Sequence, residues 1–295
     1  MVISRSTGHK LFVLFNYVLL SLLSIICIFP LVNVLALSLS SNGAIEQGLV
    51  TLWPVEFTTF AYRHIAAAEP FRQSIGISAQ RVLIGVALNF VLTLLTAYPL
   101  SRETVQFRMR TVYVWIFVFT MLFSGGLIPS YLIVKEVGLL DSIWALVLPG
   151  AVPIFNVVLL LNFFRNLPKE LSEAALIDGA GHWQILWRIM VPLSLPAQAT
   201  VTLFAVVAHW NEWFHGIIYM NDPSHYPLAS YLQTIIIRFD LSIISDVTQL
   251  ELLSKLNNRA IRAAQIFLGA LPVLLLYPFL QRYFMTGIVM GSVKE

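Results

Sequence analysis

The sequence is poor in charge and in cysteine, and it lacks a nucleotide-binding loop. Its 295 residues include 18 Lys and Arg and 15 Asp and Glu, 33 charges in all. A soluble domain of this length carries about 74. The 33 leave six charge-free runs of at least 19 residues, at 11–45, 82–101, 111–134, 142–164, 189–211 and 263–281. Each helical crossing of a bilayer takes about 20 apolar residues, so the scarcity of charge excludes a soluble enzyme. Cys27 is the only cysteine, which excludes an internal disulfide and a thiolate metal cage. Set inside the first apolar run, it is expected to be packed. No G-x-x-x-x-G-K-[ST] stretch occurs, so an ATP site of that kind is excluded from this chain. The basic residues are scattered, and the net charge of +3 does not point to nucleic acid. The first apolar run is longer than the roughly 7–15-residue core of a cleavable signal peptide and reads as a retained helix.

What is present is an all-α pattern: a polytopic membrane protein with six transmembrane helices. The helices are expected at about 11–39, 78–100, 111–134, 143–164, 196–220 and 263–284, forming one transmembrane domain over 1–295. Outside loops are expected at about 41–76 and 222–262. Alternate loops share a side. One side collects Arg5, Lys10, Arg102, Arg108, Arg110, Arg165, Lys169, Arg188, Arg282 and Lys294 against five acids. The other holds eight basic residues and ten acids, so both termini are expected on the cytoplasmic side. Glycine and proline punctuate two helices. Ser124-Gly125-Gly126 and Pro129 fall in the third, and Pro149 and Pro153 in the fourth. Broken backbone within a membrane must be satisfied by neighbours or line a cavity. Gly125, Gly126 and Pro129 are therefore hinge candidates, with an ordinary kink as the alternative.

The most informative stretch is the inside loop at about 165–192. Pro168 suits a helix start, Lys169 to Asp178 are good helix formers, and Gly179 and Gly181 offer a stop. A second short helix, His182 to Met190, follows before Pro192. Leu171, Ala174, Ala175 and Ile177 give this knob an apolar side with small residues, suited either to docking another protein or to capping its own helices.

Glu173-Ala174-Ala175, then Gly179, Ile189 and Pro192, resembles the EAA signature of ABC importer permeases, with Val191 where leucine is usual. Asp178 and Ala180 fit the same pattern. Phe123 to Pro129, Leu148-Pro149-Gly150 and Tyr277 to Phe284 are similar to the carbohydrate-importing branch, above all to the second permease subunit of maltose-type importers. The resemblance implies a type I ABC importer permease fold in a bacterial cytoplasmic (inner) membrane, moving oligosaccharide inward by alternating access. It implies a coupling helix in which Glu173, Ala174, Ala175, Asp178 and Gly179 contact an ATPase. The implied partners are a second homologous permease chain, two ATPase subunits, an extracytoplasmic sugar-binding protein and membrane lipid. This chain then needs no cofactor, and ATP and Mg belong to the partner ATPase. An importer of acidic oligosaccharide such as alginate is one candidate within the branch.

The fifth apolar segment carries His209-Trp210-Asn211-Glu212-Trp213-Phe214-His215. On a continuous helix, steps of three residues gather His209, Glu212 and His215 within a third of the circumference. Ionisable groups inside a span usually face a cavity or a partner, so His209, Trp210, Asn211, Glu212 and Trp213 are translocation-path candidates. Aromatic faces stack on sugar rings and amides bond hydroxyls; a wetted helix end is the alternative. Two rival functions remain at this point. A proton-coupled secondary sugar transporter would use Glu212 as its carrier. An intramembrane metal-dependent enzyme would need ligands beyond the two histidines and Glu212, and none is evident. The outside charges Arg238, Asp240, Asp246, Glu251, Lys255, Arg259 and Arg262 form either a docking surface or a solvated loop. With the implied ATPase on the cytoplasmic side, the short tail from Gly287 to Glu295 is expected to lie near it.

Overall fold

The computed structural model describes residues 7–238 and 259–292. Arg5, Lys294, Glu295, and the loop residues Asp240, Asp246, Glu251 and Lys255 lie outside the described residues. All regular structure among the described residues is helical. In chain order the main helices are α1 (Thr7–Ser38), α2 (Asn42–Glu46), α3 (Phe60–Ala67), α4 (Glu69–Ser101), α5 (Arg110–Leu122) and α6 (Leu127–Glu136). They continue with α7 (Ile143–Val147), α8 (Ile154–Asn166), α9 (Lys169–Ile177), α10 (His182–Ile185) and α11 (Val191–Leu193). The last are α12 (Leu195–Asn211), α13 (Phe214–Tyr219), α14 (Leu228–Arg238) and α15 (Arg259–Ser292).

Three helices are long and apolar enough to cross a bilayer unaided: Thr7–Ser38, Glu69–Ser101 and Arg259–Pro278. Three more crossings are possible as bent pairs, for up to six in total. The pair α5 and α6 bends by 112°, the segments Ile143–Gly150 and Ile154–Asn166 by 46°, and His182–Leu193 and Leu195–Asn211 by 84°. The first two bends fall at the predicted glycine and proline clusters. The fifth segment differs from the sequence expectation, because its helix stops at Asn211 and restarts at Phe214. Arg259 and Arg262, expected in an outside loop, begin α15 instead.

The chain forms two compact units, one drawn from Met1–Glu69 and Phe239–Leu271, the other from Pro70–Arg238 and Pro272–Glu295. In the first, the apolar length of α1 exposes its side chains, and only Ala36 and Ser38 are buried. Cys27 is exposed rather than packed, because it sits on this bare apolar helix. The end of α1 is fixed by polar contacts. Ser38 Oγ lies 2.8 Å from Tyr62 Oη, and Asn33 Nδ2 donates to the Thr51 carbonyl at 2.6 Å. Ser40 Oγ accepts from Val55 N at 3.0 Å. Ala36, Ala44, Ile45, Ala61 and Ile65 are buried in this unit.

The second unit holds the core that matters for function. Leu94, Ala97 and Leu100 of α4 and Val157, Leu160 and Phe164 of α8 cluster with Ile185, Leu186 and Met190 of the inside loop and Ala197 of α12. Parts of three crossings and the loop between α8 and α12 therefore share one packed interior. Ile185 and Leu186 are only 0% and 2% exposed. Burying each contributes about 1.5–3 kcal/mol where the alternative is water, enough to hold a short loop helix rigid.

Candidate functional site

The inside loop folds as local chemistry dictates. Pro168 caps α9 with a backbone outside the helical region (φ −56°, ψ 126°), where its missing N–H leaves no bond unmade. Asp178 is the C-terminal cap, and Gly179 follows in the left-handed region at φ +81°. That turn aims Gly179 N at the Leu176 carbonyl, 3.1 Å away, and Ala180 N at the Ala175 carbonyl, 2.9 Å away. The two bonds form a Schellman stop. The glycine of the Glu-Ala-Ala…Gly pattern thus supplies a backbone conformation other residues adopt at a cost of roughly 1–2 kcal/mol. After the stop come α10, one π-helical turn over Leu186–Met190, and α11.

The predicted contact residues divide by depth. Ala175 and Ala180 pack against the core cluster of α4, α8 and α12. Glu173, Ala174, Asp178 and Gly179 are exposed. Beside them stand large apolar side chains, with Ile177 87% and Trp183 63% exposed, along with Leu171. One face of the knob is therefore rooted in the crossings and the other is bare apolar surface with small residues. Such an element can carry force between a docked partner and the membrane helices.

The polar cluster of the fifth crossing is organised differently from a helical face. Arg81 of α4, 2% exposed, donates Nη1 to the Glu212 carbonyl at 2.8 Å and Nη2 to Glu212 Oε2 at 2.7 Å. The Glu212 carboxylate also accepts from His215 N at 3.0 Å through Oε1, capping α13. His215 Nδ1 lies 3.2 Å from Oε2. Glu212 is thus held at a helix break by its main chain and side chain together. His209 is buried, and its Nε2 lies 2.9 Å from Asn89 Oδ1. Asn89 Nδ2 in turn donates to the carbonyls of Gly150 and Ala151, at 2.9 and 2.8 Å, which the break before α8 has freed. Gly85 makes room for the arrangement: a Cβ there would lie 2.5 Å from His209 Nε2. Gln198 Nε2 does similar work at the 84° bend by donating to the Val191 carbonyl at 2.6 Å.

His209 and Glu212 are therefore locked into the scaffold, while Asn211 and Trp213 are exposed and Trp210 is half-buried. Trp213 stacks edge-on against Phe214, ring centroids 5.6 Å apart. Sequence reading missed Arg81 and Asn89. Their signal was a charge and an amide inside the expected second helix, but their partners lie 131 and 120 residues away. At the third-crossing bend, Gly126 adopts φ +88° and carries the turn. Gly125 has room for a side chain, its Cβ meeting only Pro129 at 3.7 Å, and Pro129 sits in the first turn of α6.

No group of three or more His, Cys, Asp or Glu among the described residues is placed to hold a metal ion. Outside the crossings, Asp141 Oδ1 accepts from Asn221 N at 3.2 Å and meets His225 Nδ1 at 2.9 Å. The hydrogen bond to Asp141 raises the His225 pKa, and the same bond lowers that of Asp141. Lys169 and Glu103 pair directly beside α9; their hydrogen bond raises the lysine pKa and lowers that of the glutamate.

Apolar crossings with breaks held by buried polar side chains, and a rigid knob with a bare docking face, define a membrane transport subunit driven through a partner. The chain belongs to the family of binding-protein-dependent transport system inner membrane components, which it matches over residues 106–289. It is 39% identical to the polygalacturonan/rhamnogalacturonan transport system permease protein YtcP of Bacillus subtilis, over 97% of this chain and 99% of that one. It is 38% identical to protein LplC of the same organism, over 98% and 97%. Among solved structures it resembles a chain of a bacterial ABC transporter involved in import of the acidic polysaccharide alginate. There the TM-score is 0.83, with 31% identity over 95% of this chain and 98% of that one. The chain is thus an inner-membrane permease subunit of an ABC importer, with ATP hydrolysis in a separate chain. Family membership disfavours both the proton-coupled carrier and the metal enzyme.

Proposed function

We propose that the chain works as one transmembrane domain, 1–295, in an importer of acidic oligosaccharides of the uronate class. It pairs with a second homologous permease, two ATPase subunits that bind ATP and Mg, and an extracytoplasmic sugar-binding protein. The observation that carries the mechanical part is the knob: Ala175, Ala180, Ile185 and Leu186 root it in the core, while Ala174, Ile177 and Glu173 stand exposed. An ATPase seated against Glu173, Ala174, Ala175, Asp178 and Gly179 moves α4, α8 and α12 with it. Both termini and the knob then lie on the cytoplasmic side.

Supporting the substrate class, one relative is a polygalacturonan/rhamnogalacturonan permease and the alginate transporter handles another acidic polymer. Both polymers carry ring carboxylates. The exposed Asn211 and Trp213, with the half-buried Trp210, offer an amide for hydroxyls and aromatic faces for a sugar ring. His209 and Glu212 serve the path by holding its walls.

The test is uptake by the four-chain complex in proteoliposomes, with the binding protein loaded with oligogalacturonate, oligoalginate or maltotetraose. ATP-dependent uptake of an acidic oligosaccharide, with no uptake of maltotetraose, is expected. Uptake of the neutral sugar alone overturns the substrate class while leaving the coupling role standing.

A further inference from the structure

Three apolar helices begin or end around one cleft beside the knob: α4 ends at Ser101, α5 starts at Arg110, and α8 ends at Asn166. Helix ends of this kind sit at the bilayer surface. The cleft encloses about 310 Å³, and its lining includes Arg102, Arg110, Arg165 and Lys169 against Glu103 and Glu173. Lys169 and Glu103 neutralise each other. Three guanidiniums then face one carboxylate, a local excess of positive charge inside a concave site.

Arg102 is the most telling of the three. Its guanidinium carbon lies 4.3 Å from the centroid of the Tyr98 ring, which fixes the group in place. Its Nε and Nη2 are shielded from solvent and have no hydrogen-bond partner among the described residues. A guanidinium largely shielded from water is costly unless an opposite charge offsets it, and an anion in the cleft does so through space. Arg110 is oriented by its Nε bond to the Leu100 carbonyl at 2.9 Å. Planar guanidiniums hold phosphate oxygens in pairs, and basic pockets between membrane helices take phospholipid headgroups.

On α9, the cleft is lined by Lys169, Ser172, Glu173 and Leu176, spaced i, i+3, i+4 and i+7 along one stripe. The exposed Leu171, Ala174 and Ile177 fall on a neighbouring stripe. Cleft and partner-docking face therefore adjoin on the same helix and meet at Glu173, which lines the one and edges the other.

We propose that this cleft binds a phosphate group through Arg102, Arg110 and Arg165, the chemistry shared by an anionic phospholipid headgroup and free phosphate. A lipid held there ties the ends of α4, α5 and α8 to the base of the knob. The site does not depend on which oligosaccharide is carried.

The experiment uses the purified complex in neutral detergent, with phosphatidylglycerol, phosphatidylcholine or inorganic phosphate added. Native mass spectrometry reads retained lipid, and thermal unfolding reads stabilisation. If the source is a lipid, phosphatidylglycerol is retained in preference to phosphatidylcholine and raises Tm. The double substitution Arg102→Gln and Arg165→Gln then weakens retention about tenfold, worth about 1.4 kcal/mol. The single exposed change Arg165→Glu reduces retention too, and stands in if the double variant fails to fold. If the source is free phosphate, phosphate raises Tm in wild type but not in the variants, and phosphatidylglycerol gives no advantage. Equal retention of the two lipids together with no phosphate effect overturns the proposal. So does a phosphatidylglycerol preference that survives Arg165→Glu.

Discussion

Gly85→Ala is a one-carbon change with a large expected effect. The added Cβ would lie 2.5, 2.6 and 2.8 Å from three atoms of the His209 ring, where ordinary contact begins near 3.4 Å. The ring has to move by most of an ångström, and it is buried against α4 with little room to do so. Overpacking of this sort costs about 1–3 kcal/mol. Moving the ring also lengthens the 2.9 Å contact with Asn89, whose amide holds the Gly150 and Ala151 carbonyls. Loss of a buried hydrogen bond adds about 1–2 kcal/mol. The combined loss is about 2–5 kcal/mol of stability. Thermal unfolding of the purified complex reads it as a lower Tm, and reduced uptake in proteoliposomes should accompany it. His209→Ala removes the obstacle, so Gly85→Ala should cost little more in that background. A coupling of at least about 1 kcal/mol is expected from the double-mutant cycle. Full additivity of the two changes, or an unaltered Tm in Gly85→Ala, refutes the reasoning.

Other outcomes follow from the same contacts. Glu212→Ala should be more damaging than Arg81→Met. The first strands a guanidinium 2% exposed, while the second leaves a carboxylate 26% exposed and able to reach water. Losing one partner of a buried pair costs about 3–5 kcal/mol, and unfolding in detergent should rank the two variants. Gly126→Ala is expected to lower stability by about 1–2 kcal/mol through its positive φ, whereas Gly125→Ala stays near wild type in the same assay. The Asp141–His225 contact gives a pH signature. Because His225 has a raised pKa in the folded protein, its contribution is complete below the ordinary histidine value and is lost as pH rises through the raised one. Asp141, with a lowered pKa, contributes above the ordinary aspartate value and loses this only as pH falls through its lowered one. Amide protection factors around 138–142 and 221–226, taken relative to the intrinsic exchange rate at each pH, should therefore fall on the alkaline side of the histidine titration, and Asp141→Asn should abolish that fall.

The knob was legible because its information is local. Pro168, the Glu-Ala-Ala run and Gly179 lie within twelve residues, and each shapes the backbone beside it. The breaks in the third and fourth crossings were legible for the same reason, through Gly126 and the Pro149–Pro153 stretch. The break at Glu212 was not, since no glycine or proline stands between His209 and His215. It is held from outside, by Arg81 gripping the Glu212 carbonyl and carboxylate across 131 residues. On a continuous helix, periodicity puts His209 and Glu212 on one pathway face. The broken backbone instead turns them into the scaffold and leaves Asn211 and Trp213 exposed.

In the proposed function the knob carries partner motion into the crossings through its exposed face. The most direct test of this is ATP-driven uptake by the reconstituted complex carrying Ala174→Trp or Glu173→Lys, read beside ATPase activity stimulated by the loaded binding protein. Both residues are exposed, so the variants should fold and insert normally. The account predicts uptake reduced at least about tenfold and loss of stimulated hydrolysis; wild-type uptake with normal stimulation in both variants contradicts it.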